Sequence, residues 1–434
     1  MTASLDAAGA ASLDAPRTAA GAAVDFGPAR ALACRACGAE SPLNDSYACM
    51  ECFGPLEIAY DFGSVTHADI ETGPSSMWRY APLLPVPADI ADRKNLAPGL
   101  TKLVRADNLA RSLGMKTLYV KDDSGNPTHS FKDRVVAVAL SAAQQLGFTT
   151  VGCASTGNLA NAVAAAAARA GLKSCVFVPS NLEAGKIVTT AVYGGTLVAV
   201  EGNYDDVNRL CSEVAGDLGW GFVNVNLRPY YAEGSKSLGY EVAEQLGWRL
   251  PRQVVAPVAS GSLMTKVDKA FRELIALGLV EDAPVSIFGA QATGCSPVSK
   301  AWSEGHDVVQ PVRPDTIAKS LAIGNPADGP YAIDVARRTG GAFGDVSDAE
   351  IVEGIQLLAQ TEGIFAETAG GVTVATLRKL LAEGRLDPEA ETVLLNTGDG
   401  LKTLDAVVPV AGPTVTIPPK YGAFRTFAEQ EGLA

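Results

Sequence analysis

Asn126-Pro127-Thr128-His129-Ser130-Phe131-Lys132-Asp133-Arg134 is the stretch on which the reading of this chain turns. It follows a short apolar run, Thr117-Leu118-Tyr119-Val120, and a turn-rich loop. It leads into residues 135–146, whose apolar spacing predicts a helix. Lys132 therefore stands where a loop passes into a helix, with small hydroxyl residues beside it. Lysine is the side chain that condenses with an aldehyde cofactor once its amine has lost a proton, and burial and a positive helix end favour that loss. A lysine at a helix start is more often a solvated charge. The other parts of a site therefore have to be found elsewhere in the chain.

Composition allows a large buried site. The 434 residues are 47% hydrophobic and 19% charged, enough for two or three domains with a substantial core. A net charge of −13 argues against nucleic acid or an anionic membrane as the main partner. No apolar run reaches the roughly 18 residues that span a bilayer. Residues 1–30 are rich in Ala and Ser, with Asp6 and Asp14 and no basic start, unlike a signal peptide. They are expected to form a disordered tail on a soluble, cytoplasmic protein.

Cys34, Cys37, Cys49 and Cys52 form two C-x2-C pairs separated by eleven residues. Each pair is spaced to hold one side of a tetrahedral metal, and the intervening segment is long enough for a hairpin. Gly38 and Gly54 suit the tight turns that aim thiolates inward. The expectation is a zinc-ribbon-like knuckle over 31–62. Between residues 31 and 60, Arg35 is the only basic residue against Glu40, Asp45, Glu51 and Glu57, so the knuckle is read as structural rather than nucleic-acid-binding. Cys153, Cys175, Cys211 and Cys295 lie in apolar surroundings and are expected to be buried thiols.

Strand candidates at 117–120, 150–154, 174–178, 196–200, 221–225, 253–258, 285–290 and 392–396 alternate with helical runs such as 159–170, 204–218, 237–246 and 263–277. That alternation predicts parallel βαβ units, whose ligands sit beyond the carboxyl ends of the strands. Three of those ends carry suggestive loops. Ser155-Thr156-Gly157-Asn158 offers hydroxyls and helix-start amides, although the same residues make ordinary helix caps. Val258-Ala259-Ser260-Gly261-Ser262 is small enough for backbone amides to crowd an anion at a helix start. Thr397-Gly398-Asp399-Gly400-Leu401-Lys402 matches no Walker or dinucleotide fingerprint.

Taken together, the SFKDR-type lysine segment, STGN, the 258–262 loop and T-G-x-G-x-K resemble the pyridoxal-phosphate enzymes of the tryptophan-synthase-β structural class, fold type II. The resemblance implies Lys132 as the Schiff-base lysine and Ser155 and Thr156 on the substrate carboxylate. It implies Asn158 on the cofactor's ring hydroxyl, Val258, Ala259, Ser260, Gly261 and Ser262 around its phosphate, and Thr397 at its pyridine nitrogen. A hydroxyl partner need not keep that nitrogen protonated, which suits elimination and replacement better than transamination.

Within that class the chain is similar to the threonine synthase family from residue 31 to about 405. The resemblance includes the knuckle, Asn226-Leu227-Arg228-Pro229-Tyr230-Tyr231-Ala232-Glu233-Gly234-Ser235-Lys236 and Ile364-Phe365-Ala366-Glu367-Thr368-Ala369-Gly370-Gly371. It implies conversion of O-phospho-L-homoserine and water to L-threonine and phosphate. Arg228 and Lys236 are the expected cations for the substrate phosphate, with Lys186 and Lys319 as rivals. The commoner family pattern, N-P-Y-R-x-E-G-x-K, has arginine where this chain has Tyr231. His129 is expected to pack. The alternatives are a threonine or serine ammonia-lyase on the same scaffold, a sulfur-transfer enzyme, and a catalytically dead zinc-ribbon binding protein.

The same resemblance implies an α/β fold of two parallel-sheet lobes: a large cofactor lobe from 63–134 and 226–408, and a small lobe over 135–225. Residues 409–434, with Pro413, Pro418 and Pro419, are expected to form an extended tail packing on a neighbour in a homodimer.

Overall fold

In the computed structural model, which describes residues 24–155, 157–180, 184–202 and 204–433, the alternating runs resolve into three sheets whose strands are numbered in chain order. β1 (Ala29–Cys34), β2 (Glu40–Ser41) and β3 (Leu56–Tyr60) form a small antiparallel sheet in the order β2-β1-β3. A six-stranded sheet is built from β4 (Lys102–Arg105), β5 (Leu118–Asp122), β10 (Gln253–Pro257), β11 (Ser286–Ala292), β12 (Phe343–Val346) and β13 (Thr392–Asn396). Its order is β12-β11-β10-β13-β5-β4, parallel except for β4 at the edge. A four-stranded parallel sheet, β8-β7-β6-β9, uses β6 (Thr150–Ala154), β7 (Lys173–Pro179), β8 (Thr196–Val200) and β9 (Gly221–Phe222).

Helices cover both parallel sheets, so the central strands lose water on both faces and read as continuous apolar runs. β10 and β13 are buried at every position. That is why they stand out in the sequence, whereas β4 and β12 do not: β4 (Lys-Leu-Val-Arg) lies half exposed at the edge, and β12 (Phe-Gly-Asp-Val) is only four residues long. The 221–225 run forms a strand over two residues only, because Asn226 Oδ1 accepts the Phe222 amide at 2.7 Å and turns the chain.

Two terminal expectations change. Residues 1–23 lie outside the described residues, but the tail does not extend to residue 30. Phe26 is buried and stacks on Tyr230 with centroids 4.9 Å apart, and β1 starts at Ala29. The C-terminal segment is not wholly extended either. Once past Pro418 and Pro419 it forms a helix, Tyr421–Gln430, whose only buried residue is Ala428.

Among the described residues, no helix is long and apolar enough to cross a membrane.

Candidate active site

The sheet register sets the site. β13 pairs with β5 so that Asn396 faces Asp122, and with β10 so that Leu394 faces Val255. The loops after these three strands therefore leave the sheet side by side. Those loops carry Lys132, Thr397 and the 258–262 segment.

Backbone bonds lace them together. Phe131 N donates to Thr397 O at 2.9 Å, and Asp399 N donates to His129 O at 3.1 Å. Glu367 N donates to Gly398 O at 3.0 Å. Lys132 opens the helix Lys132–Gln145 and is half-buried, its Nζ 6.0 Å from the centre of the Tyr231 ring. His129 does not pack as expected: it is exposed, with φ of 61°, and its Nδ1 lies 3.3 Å from Ser124 O. This left-handed backbone, uncommon outside glycine, turns the chain sharply before the lysine.

Buried charges hold that helix start in place. Asp133 closes the turn, accepting the Thr128 amide at 2.6 Å and the Thr128 hydroxyl at 2.8 Å. Arg134, fully buried, donates to Asp123 at 2.7 and 2.8 Å and to Glu241 at 2.7 Å. Lys121 of β5 reaches the same Glu241 at 2.7 Å. Single-partner losses in such networks are costly, so the lysine sits on a rigid base.

The small lobe meets the large one through Asn158, first residue of the helix Asn158–Ala170. Its Nδ2 donates to Glu367 Oε2 at 2.8 Å, and the Thr397 hydroxyl lies 3.4 Å from Glu367 Oε1. Gly398 makes this approach possible, since a Cβ there would lie 2.6 Å from the Glu367 carboxylate. Burial raises the Glu367 carboxyl above its ordinary range, against the pull of Asn158, Lys402 and Lys132. The sequence marks Glu367 only as an acid among small residues at a helix start, which assigns it no role. Lys402, its own amine lowered by burial, donates to Asn161 Oδ1 at 2.9 Å and also ties the lobes.

The 258–262 loop ends at the helix Ser262–Ala276. Val258 is buried, while Ala259, Ser260 and Ser262 are half-buried. Gly261 has φ of +98°, and a Cβ there would lie 2.7 Å from Asp328 O. First-turn amides have no helical carbonyl to meet, so this end offers donors and a favourable dipole to a phosphate. A lysine, a hydroxyl from Thr397 and an anion-binding helix end make a donor set that fits pyridoxal phosphate. Ser155 is half-buried beside Asn158, and Thr156 lies outside the described residues.

The two expected phosphate cations part company. Arg228 is partly exposed and pairs with Asp328 at 2.8 Å. It lies one turn before Tyr231 on the helix Arg228–Glu233. Lys236 is instead fully buried, with its Nζ 3.0 Å from both Glu233 and Glu273 and 3.8 Å from the Tyr60 ring centre. It belongs to a cluster with Lys266, Lys269 and Glu57 that docks β3 on the large lobe. Burial pushes the Glu233 carboxyl up, but Lys236, Lys266 and Lys269 outweigh it and hold the group well below the usual range. Lys319 is exposed, and the Lys186 side chain lies outside the described residues.

In the knuckle, the sulfurs of Cys34, Cys37, Cys49 and Cys52 lie within 4.8 Å of one another. The Cys34–Cys52 and Cys37–Cys49 separations are 3.5 and 3.7 Å, close to the ~3.8 Å edge of a tetrahedron with zinc–sulfur bonds of about 2.3 Å. Amides of Ala36 and Cys37 point at Cys34 Sγ and that of Glu51 at Cys49 Sγ. A Cβ on Gly54 would lie 2.9 Å from Cys34 Sγ. These residues fit a closed tetrahedral metal site. The other four cysteines are buried.

Comparison with known proteins points to the same cofactor class. Residues 94–398 match the pyridoxal-phosphate dependent enzyme family. The threonine synthase of Methanocaldococcus jannaschii is 36% identical over 390 residues, covering 88% of this chain and 96% of that one. That of Methanosarcina acetivorans is 36% identical over 403 residues, covering 91% and 97%. Among solved structures, the processed threonine deaminase isoform 2 of Solanum lycopersicum superposes with a TM-score of 0.62 at 20% identity, covering 79% of this chain and 96% of that one. Diaminopropionate ammonia lyase of Escherichia coli superposes with a TM-score of 0.63 at 18% identity, covering 80% and 93%. The structural likeness shows the fold alone, whereas the sequence identity with its coverage is specific: this chain belongs to the threonine synthase family of pyridoxal-phosphate-dependent enzymes.

Proposed function

We propose that the chain converts O-phospho-L-homoserine and water to L-threonine and phosphate with bound pyridoxal phosphate. One observation favours this over deamination. Arg228 stands one turn before Tyr231, whose ring centre lies 6.0 Å from Lys132 Nζ, so one short helix carries both a cation and a neighbour of the reacting lysine. Eliminating a phosphate calls for such a cation, whereas an ammonia-lyase has no leaving phosphate to hold.

When bound, pyridoxal phosphate supplies an electron sink for charge developing on the substrate's carbons. Lys132 would carry it, with Asn158 available to its ring hydroxyl, Thr397 to its ring nitrogen and the amides of the 258–262 loop to its phosphate. The Lys132 amine also moves protons at the substrate's α and β carbons. Ser155, Thr156 and the amides opening the Asn158–Ala170 helix receive the substrate carboxylate. Arg228 holds the departing phosphate. Closure of the small lobe over this set excludes water until the β carbon is ready for it. On this reading the large lobe comprises 63–134 and 226–408, and the small lobe 135–225.

Zinc is the metal proposed for the four cysteines, with a structural role. Metal analysis of the purified protein should find about one zinc per chain. A cytoplasmic homodimer is proposed, with 409–434 packing on the second copy. Exposed Val408, Val410, Val415, Tyr421 and Phe424 support that arrangement, and light scattering tests it.

Phosphate release from O-phospho-L-homoserine, with threonine as co-product, is the deciding assay. No phosphate release, together with 2-oxobutyrate formed from threonine, would replace the proposal with the ammonia-lyase alternative.

A further inference from the structure

Arg35, the only basic residue between positions 31 and 60, sits on the loop between Cys34 and Cys37 and points out of the knuckle toward the catalytic body. Its guanidinium lies 3.6 Å over the Tyr331 ring, and its Nη1 is 3.2 Å from Asp328 Oδ1. The other Asp328 oxygen, Oδ2, takes Arg228 at 2.8 Å. Asp328 is itself buried and pinned to the 258–262 loop: its amide donates to Ser260 O at 2.9 Å, and its carbonyl lies against Gly261. One aspartate thus receives an arginine from the cysteine knuckle and an arginine from the helix Arg228–Glu233, one on each oxygen.

We propose that Arg35 is a positioning residue through which the four-cysteine knuckle sets the cleft's affinity for phosphorylated ligands. By occupying Oδ1, Arg35 limits Arg228 to one contact with Asp328 and offsets the aspartate's charge beside the phosphate loop. Without Arg35, the planar guanidinium of Arg228 is free to take both oxygens in the two-bond pairing that arginine favours with carboxylates. Arg228 is then less available to an incoming phosphate, and Asp328 repels that phosphate more strongly. Both effects weaken phosphate binding.

The knuckle matters because it holds Arg35 in place. The Cys34–Cys37 loop is kept in shape by the Ala36 and Cys37 amides on Cys34 Sγ and by the Arg35 amide on Pro55 O at 3.0 Å. A metal joining the four sulfurs locks that loop, and its loss releases Arg35. The proposal rests on the assignment of Arg228 to the substrate phosphate made above.

The test is calorimetric titration of inorganic phosphate into the cofactor-loaded enzyme, alongside the Michaelis constants. Arg35→Ala is expected to weaken phosphate binding and raise KM for O-phospho-L-homoserine about fivefold or more, the usual lower range for coupled sites, with kcat within about twofold. Stripping metal with a chelator is expected to weaken phosphate binding similarly in the parent enzyme and to add little in Arg35→Ala. Asp328→Asn in the Arg35→Ala background is expected to recover part of the loss, which a merely structural role for Arg35 would not produce. Arg35→Lys, which keeps the charge but not the fork or the stacking, should fall between and serves if the alanine variant does not fold. Unchanged phosphate binding in the Arg35 variants, with weakened binding in Arg228→Ala, would overturn the inference while leaving the Arg228 assignment intact. Unchanged binding in Arg228→Ala would overturn both.

Discussion

Asn158 and Glu367 are joined by a 2.8 Å hydrogen bond that ties the first residue of the small-lobe helix to a buried carboxylate on the large lobe. Because burial raises the Glu367 carboxyl above its ordinary 4.5, the fold favours its protonated form. The sign follows from linkage. The group's contribution to stability is fully present below the ordinary value and is lost as pH rises through the raised one. Glu367→Gln mimics the neutral form and should therefore gain on the parent protein as pH rises. In thermal melts of the cofactor-free enzyme, the variant's melting temperature minus the parent's should be larger at pH 8 than at pH 5. A difference that does not change with pH would mean that burial does not raise the Glu367 carboxyl.

Among the described residues, Lys132 has no evident substitute. Lys402 donates to Asn161 and Lys121 is buried against Glu241, so neither is placed to take over. Lys132→Ala should abolish the near-visible absorbance of the bound cofactor and lower kcat about a thousandfold or more. Retention of the band and of turnover would remove Lys132 from its assigned role. A parent protein without the band after incubation with pyridoxal phosphate would instead favour a binding protein on a dead catalytic fold.

Lys236 is expected to matter for stability rather than for substrate. Its Nζ is enclosed by Glu233, Glu273, Leu83 O and Tyr60. Lys236→Met leaves the two carboxylates with less compensation, and breaking such a buried pair costs about 3–5 kcal/mol. Denaturant unfolding should register that loss, while the folded variant's KM for the phosphorylated substrate stays within about twofold of the parent. A large KM change without loss of stability would restore Lys236 as a phosphate ligand.

These cases show what the sequence made legible. Strands buried on both faces, such as β10 and β13, declare themselves as apolar runs, and the short loops at their ends stand out by following those runs directly. The edge strand β4, Lys-Leu-Val-Arg, carries no such signature. Cations are harder for a different reason. Arg228 and Lys236 lie eight residues apart in one motif, yet one is partly exposed and the other fully buried. That difference is set by partners more than 30 residues away in sequence, Asp328 and Glu273, which local spacing cannot reveal. Glu367 was obscured in the same way: its role depends on Asn158, 209 residues distant.

Gly261 offers the sharpest separation of backbone strain from site chemistry. Its φ of +98° disfavours any side chain, and a Cβ would also press on Asp328 O at 2.7 Å, a backbone atom that cannot swing aside. Gly278, at φ of +69° with nothing within 4 Å of its Cβ position, carries the first effect without the second. Left-handed strain of this kind costs about 1–3 kcal/mol, and in Gly278→Ala that should appear only as lowered stability. In Gly261→Ala the loop must also move away from Asp328, shifting the amides that open the Ser262–Ala276 helix. Titrating cofactor-free protein with pyridoxal phosphate should then show affinity about tenfold to a hundredfold weaker in Gly261→Ala, by the usual conversion of 1.4 kcal/mol per decade, and unchanged in Gly278→Ala. Equal affinity in the two variants would mean that the 258–262 loop does not hold the cofactor's phosphate.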